Sequence, residues 1–84
     1  MHYVYLLRSI SSPNQTYIGY TEDSKTRVKA HNSGASPRTA KYIPWTLVTY
    51  IAFENKPSAQ AFEAYLKTGS GQAFSKKRLW NPPT

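Results

Sequence analysis

The chain carries four carboxylates, Glu22, Asp23, Glu54 and Glu63. A paired-carboxylate hydrolase or a many-acid metal cage has few residues to draw on. Glu63 stands out because it falls on a helical pattern, about 100° from the centre of the apolar face. A lone carboxylate at that boundary can bind Mg²⁺, which keeps several waters and often needs only one or two protein carboxylates. The alternative is a solvated residue paired with Lys67 one turn later. Arg27 and His31 are also four apart on a helical stretch, so they share a face. Arg offers a fixed fork for phosphate oxygens, and His relays protons near neutral pH. A surface Arg and a half-packed His fit the same spacing. The third group is aromatic: Tyr3 and Tyr5 lie on one face of a first strand, and Tyr17 on a face of the next. A phenol placed so can hydrogen-bond or exchange a proton. Cross-strand aromatic packing is the plainer reading.

The elements that must position these residues are legible from pattern. His2-Tyr-Val-Tyr-Leu-Leu-Arg8 has large residues on both faces and reads as a strand in the middle of a sheet. Ser11-Ser-Pro-Asn14 is a turn. Gln15–Tyr20 is a second strand, making a hairpin, and Gly19 within it signals a bulge or a close approach. Asp23 or Ser24 caps a helix over 24–33, ended by Gly34. Residues 35–44 read as a basic loop. The third strand runs over 45–54, with Trp45, Leu47, Ile51 and Phe53 expected on one face at period two. Asn55-Lys-Pro57 opens a helix whose apolar face holds Ala59, Phe62, Tyr65 and Leu66. Gly69-Ser-Gly71 is expected to end it. A short basic helix follows over 72–80, stopped by Pro82-Pro83. The order β–β–α–β–α–α predicts a small α+β sheet flanked by helices.

Length and charge bound the rest. Eighty-four residues suggest one domain over 1–84. No apolar run is long enough to span a membrane, no signal-peptide pattern is present, and there is no cysteine. These absences favour a cytoplasmic protein with no membrane partner. Eleven Lys and Arg against the four acids give a net charge of +7. Such a field attracts polyanions, nucleic acid first among them. Lys25, Lys29, Arg38, Lys41, Lys76, Lys77 and Arg78 are the candidate contacts to backbone phosphates, which give affinity without sequence information.

Joint spacing links the three groups. Tyr17-Ile-Gly-Tyr-Thr-Glu-Asp23 precedes Arg27, His31, Asn32 and Gly34. Pro44-Trp45 opens the third strand, and Leu66-Lys-Thr-Gly-Ser-Gly71 follows Glu63. This constellation resembles the GIY-YIG nuclease family, which includes the catalytic N-terminal domain of the nucleotide-excision-repair nuclease's C subunit and certain homing endonucleases. The small free-standing, C-subunit-like members are the most similar.

The resemblance implies a three-stranded, mostly antiparallel sheet flanked by helices and a phosphodiester hydrolase using Mg²⁺, with Mn²⁺ as a substitute. It implies that Tyr5 and Tyr17 line the active site, that Arg27 stabilises the phosphate, and that Glu63 is the metal ligand. His31 becomes a proton acceptor, with Gly19 and Asn81 as supports. Tyr17, Tyr5 and His31 all remain open as the general base. Family members gain target choice from appended domains. Here weak sequence selectivity is expected, with DNA shape, a homodimer or a protein partner supplying the choice. The first motif departs from the family pattern in two places: Val4 for Ile is harmless, and Tyr3 stands where members have Gly, which is expected to alter the backbone or crowd the site. A catalytically silent nucleic-acid-binding module on the same fold is the alternative function, and a protein-interaction domain is a third.

Overall fold

A computed structural model gives residues 1–80 of the chain. Asn81 and the Pro82-Pro83 stop fall outside the described residues. Three strands, β1 (His2–Ser9), β2 (Thr16–Thr21) and β3 (Trp45–Phe53), form one antiparallel sheet in the order β2-β1-β3. β1 is central. Val4, Tyr5, Leu6 and Leu7 are each no more than 1% exposed, as a strand covered on both faces requires.

Alternation along β1 sends these residues to two cores. Val4 and Leu6 pack with Ala59 and Leu66 of α3 (Lys56–Leu66), and Ile18, Val48 and Phe53 close around them. Tyr5 and Leu7 pack on the other face with Trp45, Tyr17 and Val28 of α1 (Ser24–Asn32). The sheet is therefore sandwiched between α1 and α3. Asp23 caps α1 by accepting from Thr26 N, and Asn55 caps α3 by accepting from Ser58 N.

Four expectations need correction. Residues 35–44 are not all loop, because Pro37 opens a short helix, α2 (Pro37–Ala40), with fixed φ suited to a first turn. Gly69-Ser-Gly71 does not end α3, which stops at Leu66. Instead Thr68 accepts from Gly71 N and caps a new helix, α4 (Gly69–Ser75), followed by a π turn over Lys76–Trp80. Gly71 is there for contact: a Cβ would overlap the Tyr65 carbonyl and the Leu66 backbone. Tyr65 is 41% exposed, off the buried stripe, and packs beside Phe62 and Phe74.

The last correction concerns β3. Leu6 pairs with Thr49 but Leu7 pairs with Leu47, so Val48 is an extra residue. This bulge reverses the side-chain alternation. Trp45 and Leu47 therefore share the Tyr5 face, while Ile51 and Phe53 share the Val4 face. Tyr3 does not disturb the sheet either. β1 pairs regularly through it, and its ring packs edge-on against Tyr50 at 5.5 Å.

Candidate active site

Tyr5 and Gly19 are direct partners across the β1–β2 ladder. The Tyr5 ring lies over Gly19 so closely that any Cβ there would overlap the phenol. The glycine thus serves close approach, as its place in a strand suggested. The Tyr5 hydroxyl reaches His31 Nε2 at 2.8 Å and receives Arg27 Nε at 3.3 Å. Tyr17, half-buried, stacks obliquely on the His31 ring at 4.9 Å and lies 6.1 Å from the Tyr5 ring. Arg27 and His31, one turn apart on α1, thus meet both motif tyrosines.

The protons in this cluster are determined by its chemistry. Burial pushes the Tyr5 phenol above its ordinary pKa, although the Arg27 hydrogen bond opposes this. Tyr5 is therefore protonated and must donate. Arg27 cannot accept, so the Tyr5 proton points to His31 Nε2. His31 is fully buried, and that burial, with the Arg27 charge, holds its pKa below the ordinary value. It is neutral with its proton on Nδ1, which donates to Thr39 Oγ1 at 2.7 Å. The phenols in turn keep the Arg27 guanidinium charged.

Thr39 was not singled out from sequence, nor was the second role of Asn32. Thr39 is buried on α2, and its carbonyl accepts the Trp45 indole N–H at 2.8 Å. Asn32 clamps the start of β3: its amide donates to the Trp45 carbonyl at 3.0 Å and accepts from Trp45 N. Asn32 carried a signal, its place in the motif run with Arg27 and His31; Thr39 carried none. Their partners are set only by the tertiary fold.

Residues 1–78 match the model of the GIY-YIG catalytic domain. The chain belongs to the GIY-YIG family. A UPF0213 protein of Clostridium perfringens is 41% identical over 71 residues, 80% of this chain and 71% of that protein. Structure-specific endonuclease subunit SLX1 of Candida dubliniensis is also 41% identical over 71 residues, 76% of this chain. The chain spans only 25% of that relative's length. A UPF0213 protein of Streptococcus pyogenes serotype M3 is 35% identical over 66 residues, 77% of this chain and 70% of its own.

In this GIY-YIG domain Glu63 comes from the other side of the sheet, on α3. Its charge is among those acting on the Tyr5 phenol. The side chain is 24% exposed, and Oε2 accepts from Lys67 Nζ at 3.3 Å, as the i,i+4 spacing predicts. Among the described residues no cluster of three His, Cys, Asp or Glu side chains exists. The donor set at Glu63 is one hard, partly exposed oxygen pair, which suits Mg²⁺ with its retained waters and not a closed cage.

The cations divide between regions. Lys25 and Lys29 lie along the flank of α1 that faces Leu47, turned about 200° around the helix from Arg27. Arg38 and Lys41 are exposed at α2, and Lys77 and Arg78 are exposed on the π turn. Lys76 lines a groove on the α3 face together with Arg8 and Lys67, neither of them among the expected phosphate contacts. No described helix is long and apolar enough to cross a membrane.

Proposed function

We propose that this GIY-YIG domain is an endonuclease that hydrolyses phosphodiester bonds, DNA foremost, with one divalent cation held at Glu63. The supporting observation is the meeting of Tyr5, Tyr17, Arg27 and His31 within hydrogen-bonding or ring contact. Bound there, Mg²⁺ or Mn²⁺ would neutralise charge on the phosphate and leaving oxygen.

The chain's own residues do the rest. Arg27 presents its guanidinium to nonbridging oxygens, where charge grows as water attacks phosphorus. Tyr17, the less buried phenol, orients that water. The water's proton passes to the Tyr5 oxygen as the Tyr5 proton moves to His31 Nε2. The water oxygen bonds to phosphorus as the bond to the leaving oxygen breaks; the departing oxygen takes a proton from solvent, and His31 returns its own to solvent through Tyr5. Thr39 holds the imidazole in the tautomer that leaves Nε2 open to receive the proton. Because both partners start neutral, the relay needs no phenolate at neutral pH. Exposed lysines and arginines on both sides supply backbone contacts.

The test is cleavage of labelled linear, nicked and branched DNA, with and without Mg²⁺, by wild type and Glu63→Gln. Gln is nearly isosteric, so thermal unfolding is expected to match wild type, while metal-dependent cleavage disappears. Cleavage by Glu63→Gln at the wild-type rate, or by wild type in a chelator, would remove Glu63 from the mechanism.

A further inference from the structure

A concavity lies across the sheet from α1, between the β1–β2 hairpin and the α4–π turn segment, with a volume of about 480 Å³. Arg8, Lys67 and Lys76 line it, and among the described residues no carboxylate does. Its apolar part is formed by Ile18, Leu66 and Trp80. Arg8 is already fixed: its guanidinium donates to the Trp80 carbonyl at 3.1 Å and lies over the Trp80 ring at 5.5 Å. A cation held in this way loses little further freedom on meeting an anion. Lys67 joins the groove to the candidate site, since its ammonium also holds Glu63.

Arg8 and Lys76 have no carboxylate partner among the described residues, and with Lys67, which shares its charge with Glu63, they call for a phosphate. An apolar surface beside them calls for a sugar and a base. The volume lies within the range of small-ligand sites, roughly 300–1,000 Å³. A double helix keeps its bases stacked inside and offers the groove only backbone. An unpaired nucleotide offers both parts, and such nucleotides are held by cationic grooves with aromatic walls. We infer that this groove is a binding subsite for one unpaired nucleotide, its phosphate among Arg8, Lys67 and Lys76 and its base against Ile18 and Trp80. The inference rests on the endonuclease reading for its class of ligand, and it specifies the path of the strand beyond Glu63.

The experiment is fluorescence anisotropy without divalent metal, using labelled oligothymidylate and a blunt duplex of equal length. Gln72→Glu and Lys76→Glu place acid at exposed positions of the groove wall. Lys56→Glu, exposed at the opposite end of α3, is the charge control. Both groove variants are expected to weaken oligothymidylate binding roughly tenfold, the scale of one charge-assisted contact, and duplex binding far less. Lys56→Glu is expected to weaken both ligands slightly and alike. Losses that only follow the charge removed, equal for Lys56→Glu and Lys76→Glu and smaller for Gln72→Glu, would reduce the effect to net charge. Equal losses for both ligands would make the groove a duplex dock. Unchanged binding in the groove variants would overturn the subsite outright. Cleavage by wild type with Mg²⁺, run in parallel, separates the two readings. Active enzyme with an indifferent groove refutes only the subsite, and a selective groove without cleavage refutes only the nuclease.

Discussion

Tyr5 makes three demands that its neighbours meet one by one: an acceptor for its proton, a charged donor to its oxygen, and a bare backbone beneath its ring. His31, Arg27 and Gly19 supply them. Burial of a neutral imidazole has a measurable consequence. Since its folded pKa lies below its unfolded value, the unfolded chain binds the extra proton first as pH falls. His31 therefore removes stability progressively below about pH 6.5, the ordinary imidazole value. Melting temperature is expected to drop between pH 7.5 and 5.5 in wild type, and to drop less in His31→Gln. The same titration sets the acid limb of the pH–rate profile for kcat/KM. Its midpoint should lie below about 6.5, persist in Tyr17→Phe and vanish in His31→Gln. A limb that vanishes in Tyr17→Phe alone would transfer the base to Tyr17. Arg27→Ala is expected to cost on the order of 10²–10³ in turnover and much less in DNA affinity, because many other cations face the solvent. Equal losses in both would make Arg27 a docking residue.

Elements carry the site by what they leave out as well as by what they present. Gly19→Ala puts a methyl group into the Tyr5 phenol, and relief requires either ring or strand to move. Overpacking of this kind costs about 1–3 kcal/mol, readable by urea denaturation, and should reduce cleavage more than Arg27-distant surface changes do. Much of this framework was legible in the sequence. The apolar run of β1, the period of α3, the Asp23 and Asn55 caps and the Gly19 signal each have a local cause. The pairing of Arg27 with His31 and the i,i+4 contact of Glu63 with Lys67 follow from helical spacing alone. What escaped is non-local. The Val48 bulge exists because β3 must feed two different cores, and period-two reasoning has no way to count an extra residue. Thr68 outcompeted the glycines as punctuation because a cap starts a helix wherever the following turn finds packing, here Gly71 against the α3 backbone. Thr39 and Arg8 acquire their meaning from partners 8 and 72 residues away.

At the scale of the molecule, charge and architecture answer different questions. The +7 balance governs how strongly a polyanion is drawn, and for nucleic acid that attraction is expected to fall with salt. A plot of log affinity against log salt is expected to be linear. Its slope should shrink by about one for each phosphate-contacting lysine removed. An affinity indifferent to salt would contradict phosphate binding. Architecture governs where the candidate site sits. The contact cluster draws on β1, β2, α1 and α2, so no single hairpin or helix contains it. Leu66→Ala, which hollows the core under α3, is expected to cost about 2–5 kcal/mol. Activity and near-ultraviolet circular dichroism should then be lost together on heating.

Trp45 and Trp80, the only two indoles in the chain, stand on opposite sides of the sheet. Trp45 is 4% exposed, and its N–H is tied to the residue that orients His31. Trp80 borders the basic groove, with a guanidinium over its ring. The molecule is thus labelled by its own chromophores, one beside the proton relay and one beside the groove. With Trp80→Phe, the remaining emission should be blue-shifted, shielded from iodide and responsive to His31 protonation. With Trp45→Phe, it should be open to quencher and should change when oligothymidylate is added. Two single-tryptophan proteins would let binding and proton chemistry be followed in separate cuvettes, without a dye on either partner.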